Sequence, residues 1–83
     1  MKQVTLYTRE SCHLCDEALA ALERVRQTQP FALSVIDLDL EAPPDKRLAY
    51  DWEVPVVELG GRKVMKFRVD EARLFRLLTA EGA

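Results

Sequence analysis

Apolar residues first recur with a period of two. Val4 and Leu6 alternate with Thr5 and Tyr7, the mark of a strand. The period then lengthens. Leu14, Cys15, Ala18, Leu19, Leu22 and Val25 share one helical face, which predicts a helix from about Cys12 to Gln27. Ser11 is the expected cap, since its hydroxyl can accept from an unpaired amide of the first turn. Thr28-Gln29-Pro30 ends the helix, because proline lacks the N–H that the ladder needs. Phe31 to Leu40 is nearly continuous in apolar residues and predicts a second strand, central and covered on both faces.

Glu41-Ala42-Pro43-Pro44-Asp45 breaks this pattern. Prolines favour extended backbone and then permit a helix start. A short helix is predicted from Asp45 to about Asp51, with Leu48, Ala49 and Trp52 as its inward residues. Tyr50 and Trp52 read as core or half-buried packing, with a substrate-facing Trp52 as the alternative. Val54-Pro55-Val56-Val57-Glu58-Leu59 is a third strand opened by its proline. Gly60-Gly61 supplies the positive φ angles of a tight hairpin, and Arg62 to Phe67 returns as a fourth strand with Met65 and Phe67 in the core. Asp70 is placed to cap a last helix, with Val69 and Leu74 spaced as a hydrophobic staple. Leu74, Phe75, Leu77 and Leu78 form its buried stripe, and Thr79 to Ala83 fray. The order βαβαββα predicts an α/β fold, a four-stranded sheet of mixed direction flanked by three helices.

The 83 residues leave room for one domain, spanning 1–83. A chain this short buries roughly 60–65% of the surface its unfolded form exposes, so one well-patterned core must hold it. Hydrophobic content of 48% and charged content of 31% fit a globular domain and argue against disorder. The net charge is −2 with both signs interspersed, which argues against nucleic acid as a partner. No apolar run approaches the ~18 residues of a membrane span. Met1-Lys2-Gln3-Val4-Thr5 lacks the apolar core of a signal peptide, so a cytoplasmic location is expected; the chain is expected to be a monomer. Two cysteines in such a setting point to redox or metal chemistry rather than to a structural staple.

Both cysteines and the single histidine lie together in Tyr7-Thr8-Arg9-Glu10-Ser11-Cys12-His13-Leu14-Cys15-Asp16-Glu17, where the strand pattern gives way to the helix pattern. Three residues apart in a first turn, the thiols are close enough to bridge without unwinding the backbone. The thiolate is the nucleophile, and an unperturbed cysteine with pKa of about 8.5 is mostly protonated in cytosol. A helix N-terminus, a hydrogen bond from the Cys15 thiol, and the positive character of His13 and Arg9 favour the Cys12 thiolate. Glu10, Asp16 and Glu17 oppose it. His13 is read either as a tuner of the redox potential or as an exposed side chain touching nothing. Metal binding is a rival chemistry, but zinc wants four ligands and one turn offers only Cys12, Cys15 and His13. A site completed in a dimer, or a shared iron–sulfur cluster, would be needed. A third reading is a folded module that holds a partner without turnover.

Cys12-His13-Leu14-Cys15 at a strand-to-helix junction, Val54-Pro55, the Gly60-Gly61 hairpin and the order of elements together resemble the glutaredoxin-like branch of the thioredoxin superfamily. Leu6-Tyr7-Thr8-Arg9 leading to Cys-His-Leu-Cys-Asp-Glu-Ala is similar to a small bacterial glutaredoxin-like family. The resemblance implies a thiol–disulfide oxidoreductase of thioredoxin-like fold, with Cys12 as exposed nucleophile and Cys15 as resolving cysteine. It also implies a cis Pro55 against the redox pair, so that Val54 can offer its amide and carbonyl to a passing substrate strand. Leu14 joins the substrate-binding or potential-tuning residues by its place between the cysteines. Substrates are then a disulfide-bearing protein or a small-molecule disulfide, with no bound cofactor. Glutathione-using relatives carry a second Gly-Gly before an acidic residue and Pro-Tyr between the cysteines. Here Phe67-Arg68-Val69-Asp70 and His13-Leu14 stand in those places. Glutathione is therefore in doubt as reductant, and thioredoxin reductase or another dithiol donor competes with it.

Overall fold

A computed structural model describes residues 1–80. The elements are β1 (Gln3–Thr8), α1 (His13–Thr28), β2 (Ala32–Asp37), α2 (Pro44–Tyr50), β3 (Val56–Leu59), β4 (Arg62–Lys66) and α3 (Glu71–Thr79). They form one four-stranded sheet in the order β2-β1-β3-β4. β1 pairs in parallel with β2 from Gln3↔Ala32 to Thr8↔Asp37, and antiparallel with β3 from Val4↔Leu59 to Tyr7↔Val56. β4 returns antiparallel to β3 through Gly60 and Gly61, whose φ angles of 60° and 84° suit glycine at both central positions of a tight turn.

The pleat sends alternate residues to opposite faces. On one face Val4, Leu6, Val57 and Met65 pack with Ala18, Leu22 and Val25 of α1 and with Leu74 and Leu78 of α3. On the other, Tyr7 and Val56 meet Leu38, Ala42 and Tyr50 beneath α2. Tyr7 and Tyr50 stack edge to face with ring centroids 5.3 Å apart. Burial pushes both phenols above their ordinary range.

β2 departs from the expected central strand. It is an edge strand paired with β1 alone, and Val35 and Leu40 are exposed. Its apolar run misleads because β1 already has β3 on its other side. The strand also stops early: the Asp37 carboxylate accepts from the amides of Asp39 and Leu40 at 2.9 and 3.0 Å, turning the chain out of the sheet.

α2 turns a different face inward from the one its apolar residues predicted. Leu48, Ala49 and Trp52 are exposed, and Tyr50 is buried. The cause is Glu58, 4% exposed in the middle of β3. Lys46 Nζ lies 2.6 Å from its carboxylate and Tyr50 Oη donates to it at 2.7 Å. A buried carboxylate needs both partners, and residues four apart on one helix supply them. The same carboxylate raises the Lys46 pKa, chiefly through that hydrogen bond.

Phe67 and Phe75, expected in the core, are both partly exposed. β4 ends at Lys66, and Phe67 takes a φ of 69° that swings its side chain off the sheet. Its amide donates to the Pro55 carbonyl at 2.8 Å, which ties the end of β4 to the start of β3. α3 buries Leu74 and Leu78, one turn apart, so Phe75 falls to the side of the stripe. Asp70 caps this helix as expected, accepting from Arg73 N at 3.0 Å. Thr79 is helical rather than frayed, and residues 81–83 lie outside the described ones.

Removing one partner of a buried pair leaves a charge without compensation. Lys46→Met is expected to lower stability by about 2–3 kcal/mol in urea unfolding, moderated because water still reaches the ammonium. Leu48→Ala on the same helix should change it by less than about 0.5 kcal/mol.

Candidate functional site

β1 ends at Thr8, and after four intervening residues the chain enters α1 at His13. Ser11, the expected cap, instead sits at φ 58°, and its side chain is exposed. Cys12 is the cap. Its backbone is extended, and its Sγ accepts from the Cys15 amide at 3.1 Å. Ser11 must turn left-handed to bring the cysteine, not the serine, into capping position.

Cys12 and Cys15 form a disulfide with their α-carbons 5.2 Å apart. The two sulfur-bearing residues differ in access. Cys12 is half-buried, whereas Cys15 is 3% exposed and belongs to the buried face of α1. His13 points away, its side chain 89% exposed with Nε2 3.9 Å from a Glu17 carboxylate oxygen. Leu14 is half-buried and lines a cavity of about 190 Å³ with Phe67 and Val69.

The start of β3 lies at the same end of the sheet. Tyr7↔Val56 is the last register pair of β1 and β3, so Pro55 follows beside the end of β1. Pro55 is fully buried, and the Val54–Pro55 peptide bond is cis. Val54 packs against the cluster beneath α2. Among the described residues, the backbone amide and carbonyl of Val54 take no backbone partner.

Arg9 joins these pieces. Its Nε and Nη2 donate to the two Asp39 oxygens at 2.8 Å each, Nη1 donates to the Asp51 carbonyl at 2.9 Å, and Nη2 also meets the Asp51 carboxylate. Expected to lend positive character to Cys12, the guanidinium is committed to two carboxylates that offset its charge. What it does is mechanical. It ties the loop carrying Cys12 to the turn after β2 and to the turn before Val54. Neither Asp39 nor Asp51 was named from the sequence as a partner, since they lie 30 and 42 residues away with no local pattern to mark them.

This arrangement suits two-electron exchange between thiols and a disulfide. Among the described residues, no group of three or more His, Cys, Asp or Glu side chains is gathered for a metal ion, and no helix is long and apolar enough to cross a membrane. The model of the Glutaredoxin-like domain family (DUF836) matches residues 3–79. The chain belongs to that family. An uncharacterized protein of Mycobacterium tuberculosis is 35% identical to this glutaredoxin-like chain over 75 residues, covering 87% of it and 77% of the relative. A structural-genomics target protein from X. campestris superposes with a TM-score of 0.70 at 34% identity, over 90% of this chain and 93% of its own. The glutaredoxin of Archaeoglobus fulgidus shares the fold, with a TM-score of 0.62 at 23% identity, over 96% of this chain and 89% of its own. Thioredoxins share it too, so the glutaredoxin-like chain has a thioredoxin-like α/β fold. Family, fold and the Cys12–Cys15 pair together fit a redox role.

The clamp has a pH signature. Hydrogen bonds from Arg9 hold the Asp39 carboxyl below its ordinary range. A carboxyl lowered in the folded state contributes its stability at and above its ordinary pKa, and that contribution is lost as pH falls through the lowered value. The Asp39 carboxyl carbon should therefore titrate by NMR below 3.8, the ordinary value. In Arg9→Leu its inflection should return to the ordinary carboxylate range.

Proposed function

We propose that the protein is a thiol–disulfide oxidoreductase in which Cys12 is the nucleophile and Cys15 the resolving cysteine. The difference in access between the two sulfurs carries this reading. A substrate reaches the half-buried Cys12 first, while Cys15 sits behind it in the helix face. The Cys15 amide donates to Cys12 Sγ, and at a helix N-terminus the same donor favours the thiolate once the bridge is opened.

In the reduced protein the Cys12 thiolate attacks one sulfur of the substrate disulfide. A Cys12–substrate bond forms, the substrate S–S bond breaks, and the other substrate sulfur leaves as thiolate. Cys15 then loses its proton and attacks Cys12 Sγ, expelling the second substrate thiolate and closing the Cys12–Cys15 bridge. Two electrons pass from the dithiol to the substrate, which gains two protons from solvent and Cys15. An external dithiol such as a thioredoxin reductase restores the pair by the same exchange in reverse. Val54 offers its amide and carbonyl, which take no backbone partner among the described residues, to an extended substrate segment. In a cytoplasmic setting the flux runs toward reduction of substrates. Glutathione fits less well as donor, because Phe67-Arg68-Val69 stands where the glutathione-using pattern has Gly-Gly, and the Phe67 amide is already bonded to the Pro55 carbonyl.

In Cys15→Ser, an incoming disulfide should be trapped as a stable adduct at Cys12, identified by peptide mass spectrometry. Cys12→Ser should trap none at Cys15. Capture at Cys15 instead would reverse the two roles, and capture at neither would remove the exchange reading in favour of a binding module.

A further inference from the structure

We propose that Trp52 is the substrate-recognition residue of this site, taking a large apolar side chain that neighbours the cysteine of a polypeptide disulfide. The inference rests on the exchange reading above and adds to it what the substrate must carry. Trp52 is 87% exposed. An indole left in water at a fixed position offers a large apolar surface that a partner can cover, the kind of residue on which interfaces concentrate their affinity.

Its place along the chain selects the occupant. Trp52 is two residues before Val54, whose amide and carbonyl have no backbone partner among the described residues. Arg9 holds Asp51, the neighbour of Trp52, against the loop that leads to Cys12, so a polypeptide laid on Val54 with its disulfide at Cys12 lies beside the turn that carries Trp52. Backbone groups recognise any sequence alike, so discrimination must come from a side chain beside them.

The turn that carries Trp52 is held on both sides. Asp51 is bound through its carbonyl and its carboxylate by Arg9. The Glu53 amide donates to the Tyr50 carbonyl at 2.9 Å, the Glu53 carbonyl accepts from Phe67 N at 3.3 Å, and the Glu53 carboxylate meets Lys63 at 2.7 Å. The backbone is thus fixed while the indole stands free, which lowers the ordering cost when a partner covers it. Leu40 is 79% exposed and follows Asp39, the other carboxylate on Arg9. Both carboxylates are hydrogen-bonded to Arg9 and so are held in place beside this turn.

Trp52 is the single tryptophan of the chain, so its fluorescence reports on this contact alone. The test uses two short peptides, each with one cysteine activated as a mixed disulfide, differing only in phenylalanine or serine beside that cysteine. In Cys15→Ser, trapping the phenylalanine peptide on Cys12 should move the Trp52 emission to shorter wavelength. Trapping the serine peptide or a methylthio cap should not. The reduced native chain should react with the phenylalanine peptide about tenfold faster than with the serine peptide, and Trp52→Ala should bring that ratio close to one. Equal rates and unmoved emission, with both peptides captured at Cys12, would overturn the recognition role and leave the exchange reading standing. Failure of peptides and methylthio reagent alike to add to Cys12 would remove both. A concentration-dependent emission shift without peptide would assign Trp52 to a second copy of the chain and overturn the proposal.

Discussion

The parallel pairing of β1 with β2 constrains everything else. Parallel neighbours cannot be joined by a short turn, so the chain must leave the sheet at Thr8, cross over one face as α1, and re-enter at Ala32. That crossover makes the end of β1 the entrance to a helix, where Cys12 and Cys15 lie. β3 then takes the free side of β1 in the opposite direction. Its start is therefore brought to the end at which β1 finishes. Val54 and Pro55 come to the redox loop because of strand direction, some forty residues after the cysteines.

Topology alone brings the loops to one end of the sheet without fixing how they sit. Arg9 adds that. A guanidinium has donors in a fixed planar fork, and here they reach one carboxylate through both its oxygens and a second residue through its carbonyl and carboxylate. A lysine in the same place could carry the charge but could not hold both loops in one plane. Asymmetry between the cysteines has a different origin. Cys15 continues the buried stripe of Ala18, Leu22 and Val25 by helical period, while Cys12 is the cap and stands outside that stripe.

Elements whose signal is local were legible in the sequence. The periods of β1 and α1, the Gly60-Gly61 turn and the Asp70 cap each depend on residues within a few positions of one another. Two of the larger failures, the inward face of α2 and the place of β2, depended on distant partners. Hydropathy placed Leu48 and Trp52 inward because it ranks α2 by its own residues, whereas Glu58 on β3 decides which face turns in. A charged residue inside the apolar run Val56-Val57-Glu58-Leu59 was the available signal, and Lys46 and Tyr50, four apart, were its natural partners. The edge position of β2 was not readable from its own composition, since a strand's neighbours are set by the rest of the sheet. At the candidate site the cysteine pair was legible from spacing alone. The Arg9 clamp was not, because Asp39 and Asp51 carry no mark that distinguishes them from other surface acids.

The segment between β4 and α3 bears on the electron donor. Its acidic residue, Asp70, accepts from Arg73 N, and such a cap contributes about 1 kcal/mol to the helix it starts. A ligand amine binding that carboxylate would have to share it with the helix. Three residues earlier, Phe67 adopts a left-handed φ with a full side chain where the glutathione-using pattern has glycine, and its amide is already bonded to the Pro55 carbonyl. The backbone there is occupied in holding β4 against the cis-proline turn, so it has less to offer a small tripeptide. A protein dithiol needs no such cradle. Under the exchange reading proposed above, such a donor would lie along Val54 as an extended segment and meet Cys12 on the face that the substrate uses.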